Sequence, residues 1–209
     1  MPRSHAAARD LIELVGNVLE AGGLRAALIG GQAVNCWVEP RITLDVDVTV
    51  MASGATLREV VQRFELAGFR ILFSQDPGGQ SGPDFVRFEH EATEVELDLE
   101  VAKTDYEAGM IERAVRAEGL RIPVARAEDV LVLKLIANRG KDHKDQLDLA
   151  RLSGLDWAYI EHWADVWQVS ERLGALREAV EADRRQMAAL YDDPAQVPEE
   201  LRDPPPEFA

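Results

Sequence analysis

Ala26-Ala-Leu-Ile-Gly-Gly-Gln-Ala-Val-Asn35, followed by Arg41-Ile-Thr-Leu-Asp-Val-Asp-Val-Thr-Val50, is the most informative run in the chain. Its first half opens as a short apolar strand, meets the pair Gly30-Gly31 and then becomes compatible with helix. Its second half alternates. Leu44, Val46, Val48 and Val50 fall on one face, and Thr43, Asp45, Asp47 and Thr49 on the other. Strand side chains repeat every two residues, so Asp45 and Asp47 are expected to project from one face of a strand over residues 43–50. Two close carboxylates destabilise each other unless a cation lies between them. Aspartate is also disfavoured in strands. Its double use here points to a hard divalent ion, Mg²⁺ or Mn²⁺, held by carboxylate oxygens beside a triphosphate. Glycines after a strand let backbone amides approach a phosphate, and the helix start that follows favours negative charge. The two halves together predict a phosphate cradle beside a metal site. The competing reading places Asp45 and Asp47 on the solvated face of an edge strand, as for any isolated Asp-x-Asp triplet.

Two further stretches carry chemistry. Thr93-Glu-Val-Glu-Leu-Asp-Leu-Glu-Val101 alternates as cleanly, setting Glu94, Glu96, Asp98 and Glu100 on one strand face. Such a row is electrostatically unfavourable without counter-ions. Periodicity does not choose among the four, and a solvated hairpin face is the competing account. Downstream, apolar residues at 130, 131, 133, 135 and 136 suit a well-buried helix. Lys134 in their midst either snorkels to solvent or reaches an acidic site. Asp145 and Asp148 lie one helical turn apart and share a face. They serve either a site or the dipole of a helix start.

The pattern of an apolar residue, Gly-Gly, about a dozen residues and Asp-x-Asp resembles the signature of the DNA polymerase β-like nucleotidyltransferase superfamily. Within it, Gly30-Gly31-Gln32-Ala33 and Arg41-Ile42-Thr43-Leu44-Asp45-Val46-Asp47 are similar to the small prokaryotic AbiEii/MenA-type enzymes, with Gly31 where the family frequently has Ser. The resemblance is fullest over residues 26–50, extends through 94–150 and ends at about residue 155. It implies an α+β fold, a mixed sheet flanked by helices with a C-terminal helical lobe. It also implies metal-dependent transfer of an NMP from an NTP to a hydroxyl. By resemblance, Asp45, Asp47 and Asp98 hold the metal and carry catalysis, with Glu96 and Glu100 as alternatives to Asp98. Gly30, Gly31, Arg41, Thr43, Lys134, Asp145 and Asp148 bind the nucleotide, and Lys134 neutralises triphosphate charge. The acceptor stays open among RNA such as a tRNA 3′ end, protein and a small molecule. The alternative is a catalytically silent nucleotide-binding or partner-binding module of a toxin–antitoxin-like system, working through an antitoxin-like protein.

Composition is consistent with this reading. The 209 residues suffice for one compact domain plus a smaller lobe. The domains expected are a core over 1–125, a helical lobe over 126–191 and a Pro-rich tail over 192–209. A single cysteine excludes an intramolecular disulfide, and Cys36 is expected to pack in the core. No apolar stretch is long enough to span a membrane and the N-terminus does not read as a signal peptide, so the cytoplasm is the expected location. A net charge of −15 argues against broad nucleic-acid binding. Arg139, Lys141, His143 and Lys144 form a local basic cluster that Arg25, Arg41 and Arg87 could extend.

Along the chain, helices are expected at 5–21, capped by Ser4, and at 55–67, with strands at 25–29, 43–50, 69–73, 84–89, 94–101 and 120–125. Ser74 to Pro83 reads as a flexible loop. Everything from 126 to the tail reads as helix. Ile160, Trp163 and Trp167 share a helix face expected to pack the lobe against the sheet.

Overall fold

The structure, a computed structural model, describes residues 5–52, 54–75 and 84–191, together with residue 198. The chain divides into two compact units, Met1–Arg126 and Ala127–Ala209. Ser4 lies outside the described residues, as do residues 76–83 of the expected loop and, residue 198 aside, the expected tail.

The first unit runs α1 (His5–Ala21), β1 (Arg25–Ile29), α2 (Gly30–Trp37), β2 (Val46–Met51), α3 (Gly54–Leu66), β3 (Phe69–Gln75), β4 (Phe85–His90), β5 (Glu96–Val101) and α4 (Asp105–Arg113). Its strands make one sheet in the order β1-β2-β5-β4-β3. β2 and β5 run parallel, while the other neighbours are antiparallel. Register aligns Leu28, Val48, Leu99 and Val86 in a row across four strands, and all four are buried. Each such side chain contributes about 1.5–3 kcal/mol when fully buried. Phe64 of α3 sits 5.2 Å, ring centre to ring centre, from both Phe69 and Phe88. In α1, Leu11, Ile12, Val15, Val18 and Leu19 bury a stripe at helical spacing. The next row of the sheet, Ile29, Asp47, Asp98, Arg87 and Phe73, crosses all five strands. The pleat turns these side chains to the face opposite the Leu28–Val48–Leu99 row.

Several strand boundaries differ from expectation. β3 takes in Ser74 and Gln75 of the expected loop, because they pair with Val86 and Phe85 of β4. β2 starts at Val46 rather than at residue 43. The segment before it is tied to α2: Gln32 Nε2 donates to Thr43 O at 3.1 Å, and Asn35 Nδ2 to Arg41 O at 2.9 Å. Those backbone groups are therefore committed away from the ladder. β5 starts at Glu96 because Glu94 has a left-handed φ of 55° and closes the turn by donating its N–H to His90 O. Residues 120–125 are not a strand. They touch β1 through Leu28 N–H to Pro123 O (2.8 Å) and Ala125 N–H to Leu28 O (3.0 Å). Proline in that run lacks the N–H a continuous ladder needs.

The second unit packs α5 (Ala127–Ala137), α6 (Asp142–Ala150), α7 (Trp157–Val166) and α8 (Ser170–Ala188). The buried stripe of α7 is Trp157, Ile160 and Ala164. The expected Ile160–Trp163–Trp167 face is not the buried one, and Trp167 is 36% exposed. Arg177 of α8 stacks over the Trp157 ring at 4.7 Å. Among the described residues, no helix is long and apolar enough to cross a membrane.

Candidate active site

Register brings two carboxylates of the first unit together. Asp47 of β2 lies directly beside Asp98 of β5 in the parallel ladder, whereas Glu100 lies beside Thr49. Glu94 lies outside β5, leaving Glu96, Asp98 and Glu100 on its half-exposed face. Asp45 precedes β2 and is half-buried. It stands in the segment that leads into β2, not on the shared strand that periodicity suggested.

Gly30 and Gly31 abut this cluster. Gly30 has φ +63°, and a Cβ there would stand 1.9 Å from Asp47 Oδ2. A Cβ at Gly31 would stand 2.6 Å from Thr43 Oγ1. The space that the glycines leave at the start of α2 is thus taken up by Asp47 and Thr43, which brings the helix start against the acid. The Arg41–Thr43 segment is fixed by Gln32 and Asn35, with Arg41 N–H also donating to Asn35 Oδ1 at 3.0 Å. Sequence reasoning gave neither of these polar residues a role, because their partners are backbone carbonyls of residues 41 and 43 that no motif marks. Cys36 is exposed, not in the core. It lies past Val34, the last buried residue of α2, and its thiol donates to Gln32 O at 3.4 Å.

Arg87, read from the sequence only as an extension of a basic cluster, has a more specific place. From β4 it forks onto Asp98, Nε to Oδ1 at 2.7 Å and Nη2 to Oδ2 at 2.6 Å. Its Nε also lies 3.7 Å from Glu96 Oε2. The hydrogen bond to Asp98 raises the arginine above its ordinary value, burial opposes it, and the charges of Asp98, Glu96 and Asp47 add to the rise. Arg25, by contrast, pairs with Glu112 at 3.2 Å.

In the second unit, Lys134 is 3% exposed and turned inward. Its Nζ donates to Asp142 Oδ1 at 2.8 Å and lies 2.8 Å from Asp145 Oδ2. Arg139 donates from N (3.0 Å) and Nε (2.8 Å) to Asp142 Oδ2. Burial alone would push the Asp142 carboxyl up. The hydrogen bonds from Arg139 and Lys134 outweigh it and hold the group well below the usual carboxylate range. Gln146 Nε2 donates to Lys134 O at 2.8 Å. Asp148 pairs at the rim with Lys144 and Arg151. Much of the expected basic cluster is thereby turned onto this unit's own acids.

Asp45, Asp47 and Asp98 are hard oxygen donors suited to a divalent cation such as Mg²⁺. Gly30, with no Cβ, leaves the Asp47 carboxylate free of steric obstruction by residue 30. The donor chemistry fits the ion, and both Asp98 oxygens are held by Arg87. Among the described residues no three such ligands gather closely enough to bind a metal.

A family model described as "Nucleotidyl transferase AbiEii toxin, Type IV TA system" matches residues 14–208, well beyond the residue 155 at which the resemblance read from motifs ends. No curated protein matches the chain. Among solved structures, the antibiotic-resistance factor ANT(2'')-Ia is similar at 18% identity and a TM-score of 0.58, over 84% of this chain and 98% of that one. An H. pylori protein assigned to the nucleotidyltransferases gives 17% identity and 0.52, over 96% and 87%. The Megavirus polyadenylate synthase gives 12% and 0.50, over 72% of this chain and 32% of that one. These likenesses speak for the fold, a mixed sheet flanked by helices.

Proposed function

The chain belongs to the AbiEii family of nucleotidyltransferases, and from that premise we propose that it moves an NMP from an NTP to a hydroxyl acceptor. The observation that carries this reading is the register pairing of Asp47 with Asp98, beside the α2 start at Gly30. In the proposed reaction the acceptor oxygen forms a bond to the α-phosphorus in line with the bond that breaks, and pyrophosphate leaves. A divalent ion, when bound, would neutralise charge on the phosphoryl oxygens and polarise the attacking hydroxyl. Asp45 and Asp47 would hold it together with Asp98, and the first amides of α2 would favour the negative phosphates. Asp98 would take the proton of the attacking hydroxyl. Lys134, Asp145 and Asp148 are assigned to the nucleotide by family resemblance. In the structure Lys134 is buried and paired with Asp142 and Asp145, so the assignment rests on the resemblance alone.

The purified chain would be incubated with each α-labelled NTP, Mg²⁺ or Mn²⁺, and a lysate fraction of RNA, protein or small molecules. Label should move to one acceptor class. Asp45→Asn and Asp47→Asn should each abolish transfer while circular dichroism and melting remain those of the parent. Full activity in either variant would defeat the metal assignment.

A second reading, a catalytically silent module acting through an antitoxin-like partner, draws on the family's toxin–antitoxin description. It also draws on the bidentate hold of Arg87 on Asp98. Metal-dependent NTP binding without turnover would favour it.

A further inference from the structure

Asp47 and Asp98 are adjacent in a parallel ladder, a spacing of about 5 Å at which two unscreened carboxylates repel. The fold already supplies a cation to one of them. The Arg87 guanidinium makes two parallel hydrogen bonds to Asp98, the geometry in which an arginine–carboxylate pair is strongest. A divalent ion shared by Asp47 and Asp98 needs at least one of those oxygens. We propose that Arg87 is a resident counter-cation, a positioning residue that holds Asp98 until the ion and nucleotide arrive and must yield to them. The inference rests on the transferase reading above.

The surroundings of Arg87 favour yielding over immobility. Its side chain is 42% exposed, against 14% for that of Asp98, so the guanidinium can leave without losing contact with water. A second acid, Glu96, already stands 3.7 Å from Nε, and the Phe85 ring lies 5.8 Å from the guanidinium carbon. The cation thus has a place to move to on its own sheet face. Release of Arg87 and capture of the ion are then one linked equilibrium, since each excludes the other from Asp98.

The test is Mn²⁺ binding to the full chain without nucleotide, read by electron paramagnetic resonance of the free ion and by calorimetry. Arg87→Met keeps the stem and removes the charge, and should tighten binding about tenfold, the scale of one charge-assisted contact released. Arg87→Lys keeps the charge without the fork. It should fall between the two, and it carries the comparison if Arg87→Met melts too early to study. Adding Asp98→Asn to Arg87→Met should erase the gain. Glu96→Gln should weaken binding in the parent and have little effect in the Arg87→Met background, a coupling that a merely structural arginine would not produce. Equal affinity in the parent and both Arg87 variants, with Asp47→Asn still abolishing binding, would overturn the role of Arg87 and leave the transferase reading standing. No Mn²⁺ binding by any variant, with NTP present or absent, would overturn both.

Discussion

A methyl group at residue 30 would stand 1.9 Å from Asp47 Oδ2, on a backbone whose φ is +63°. Gly30→Ala therefore combines left-handed strain with a collision that only movement of Asp47 can relieve. The strain alone costs about 1–3 kcal/mol, which a chemical denaturation curve would register. Displacing a reacting group by about 1 Å can lower a rate by roughly 10²-fold, so NMP transfer should fall further than the stability loss explains. Gly31→Ala meets the Thr43 hydroxyl at 2.6 Å instead. Its effect should be milder, because φ there is ordinary. Asn35→Ala removes two hydrogen bonds to Arg41, worth about 1 kcal/mol each. It would loosen the segment that leads to Asp45 without touching the acid itself.

At the scale of elements, α5 and α6 are joined by the buried Lys134, clasped by Asp142 and Asp145. Removing one partner of such a cluster leaves uncompensated charge, so Lys134→Met should destabilise the second unit by about 3–5 kcal/mol. Its melting is therefore to be measured alongside any loss of activity. The sign of the pH dependence follows from Asp142, whose folded value lies below its ordinary 3.8. Its contribution is fully present above pH 3.8 and is lost as the pH falls toward the folded value. Thermal melts from pH 6 down to pH 3 should show a smaller acid-induced drop in Asp142→Asn than in the parent. Elements with strict alternation, β2 and β5, were legible in the sequence, as was the long apolar helix around Lys134. Their edges were not. Where β2 begins is settled by Gln32 and Asn35 binding residues 41–43, and no propensity of residues 43–45 contains that. The α7 face was misread because Ile160 belongs to two overlapping stripes, and only the packing of neighbouring helices selects Trp157 and Ala164 over Trp163 and Trp167. Asp47 could be named from its own strand, whereas Asp98 was singled out from four acids on one face only by the family resemblance. Their adjacency, and the hold of Arg87, come from pairing registers that neither strand's sequence encodes.

For the whole molecule, a net charge of −15 sets the terms of association. Phosphate backbones are repelled by such a field. Random-sequence RNA should bind more weakly than about 10⁻⁴ M at ~0.15 M salt, the weak end of non-specific affinity, as fluorescence anisotropy would show. An RNA acceptor would then have to be recognised through its end rather than along its length, and micromolar binding of random RNA would contradict this. The row Ile29, Asp47, Asp98, Arg87, Phe73 runs unbroken from one edge of the sheet to the other, and it bears on how the chain assembles. A one-residue slip between β2 and β5 would turn a carboxylate into the oily layer around Leu28, Val48 and Leu99, at several kcal/mol. The acids therefore disfavour a slipped pairing of β2 and β5 relative to the aligned one. With both replaced by leucine, the aligned sheet would still be oily on its proper side. The shifted one would be penalised only by Glu96, Glu100 and Thr49, and refolding should yield more slow, aggregating conformers than the parent chain forms, as light scattering during refolding would show.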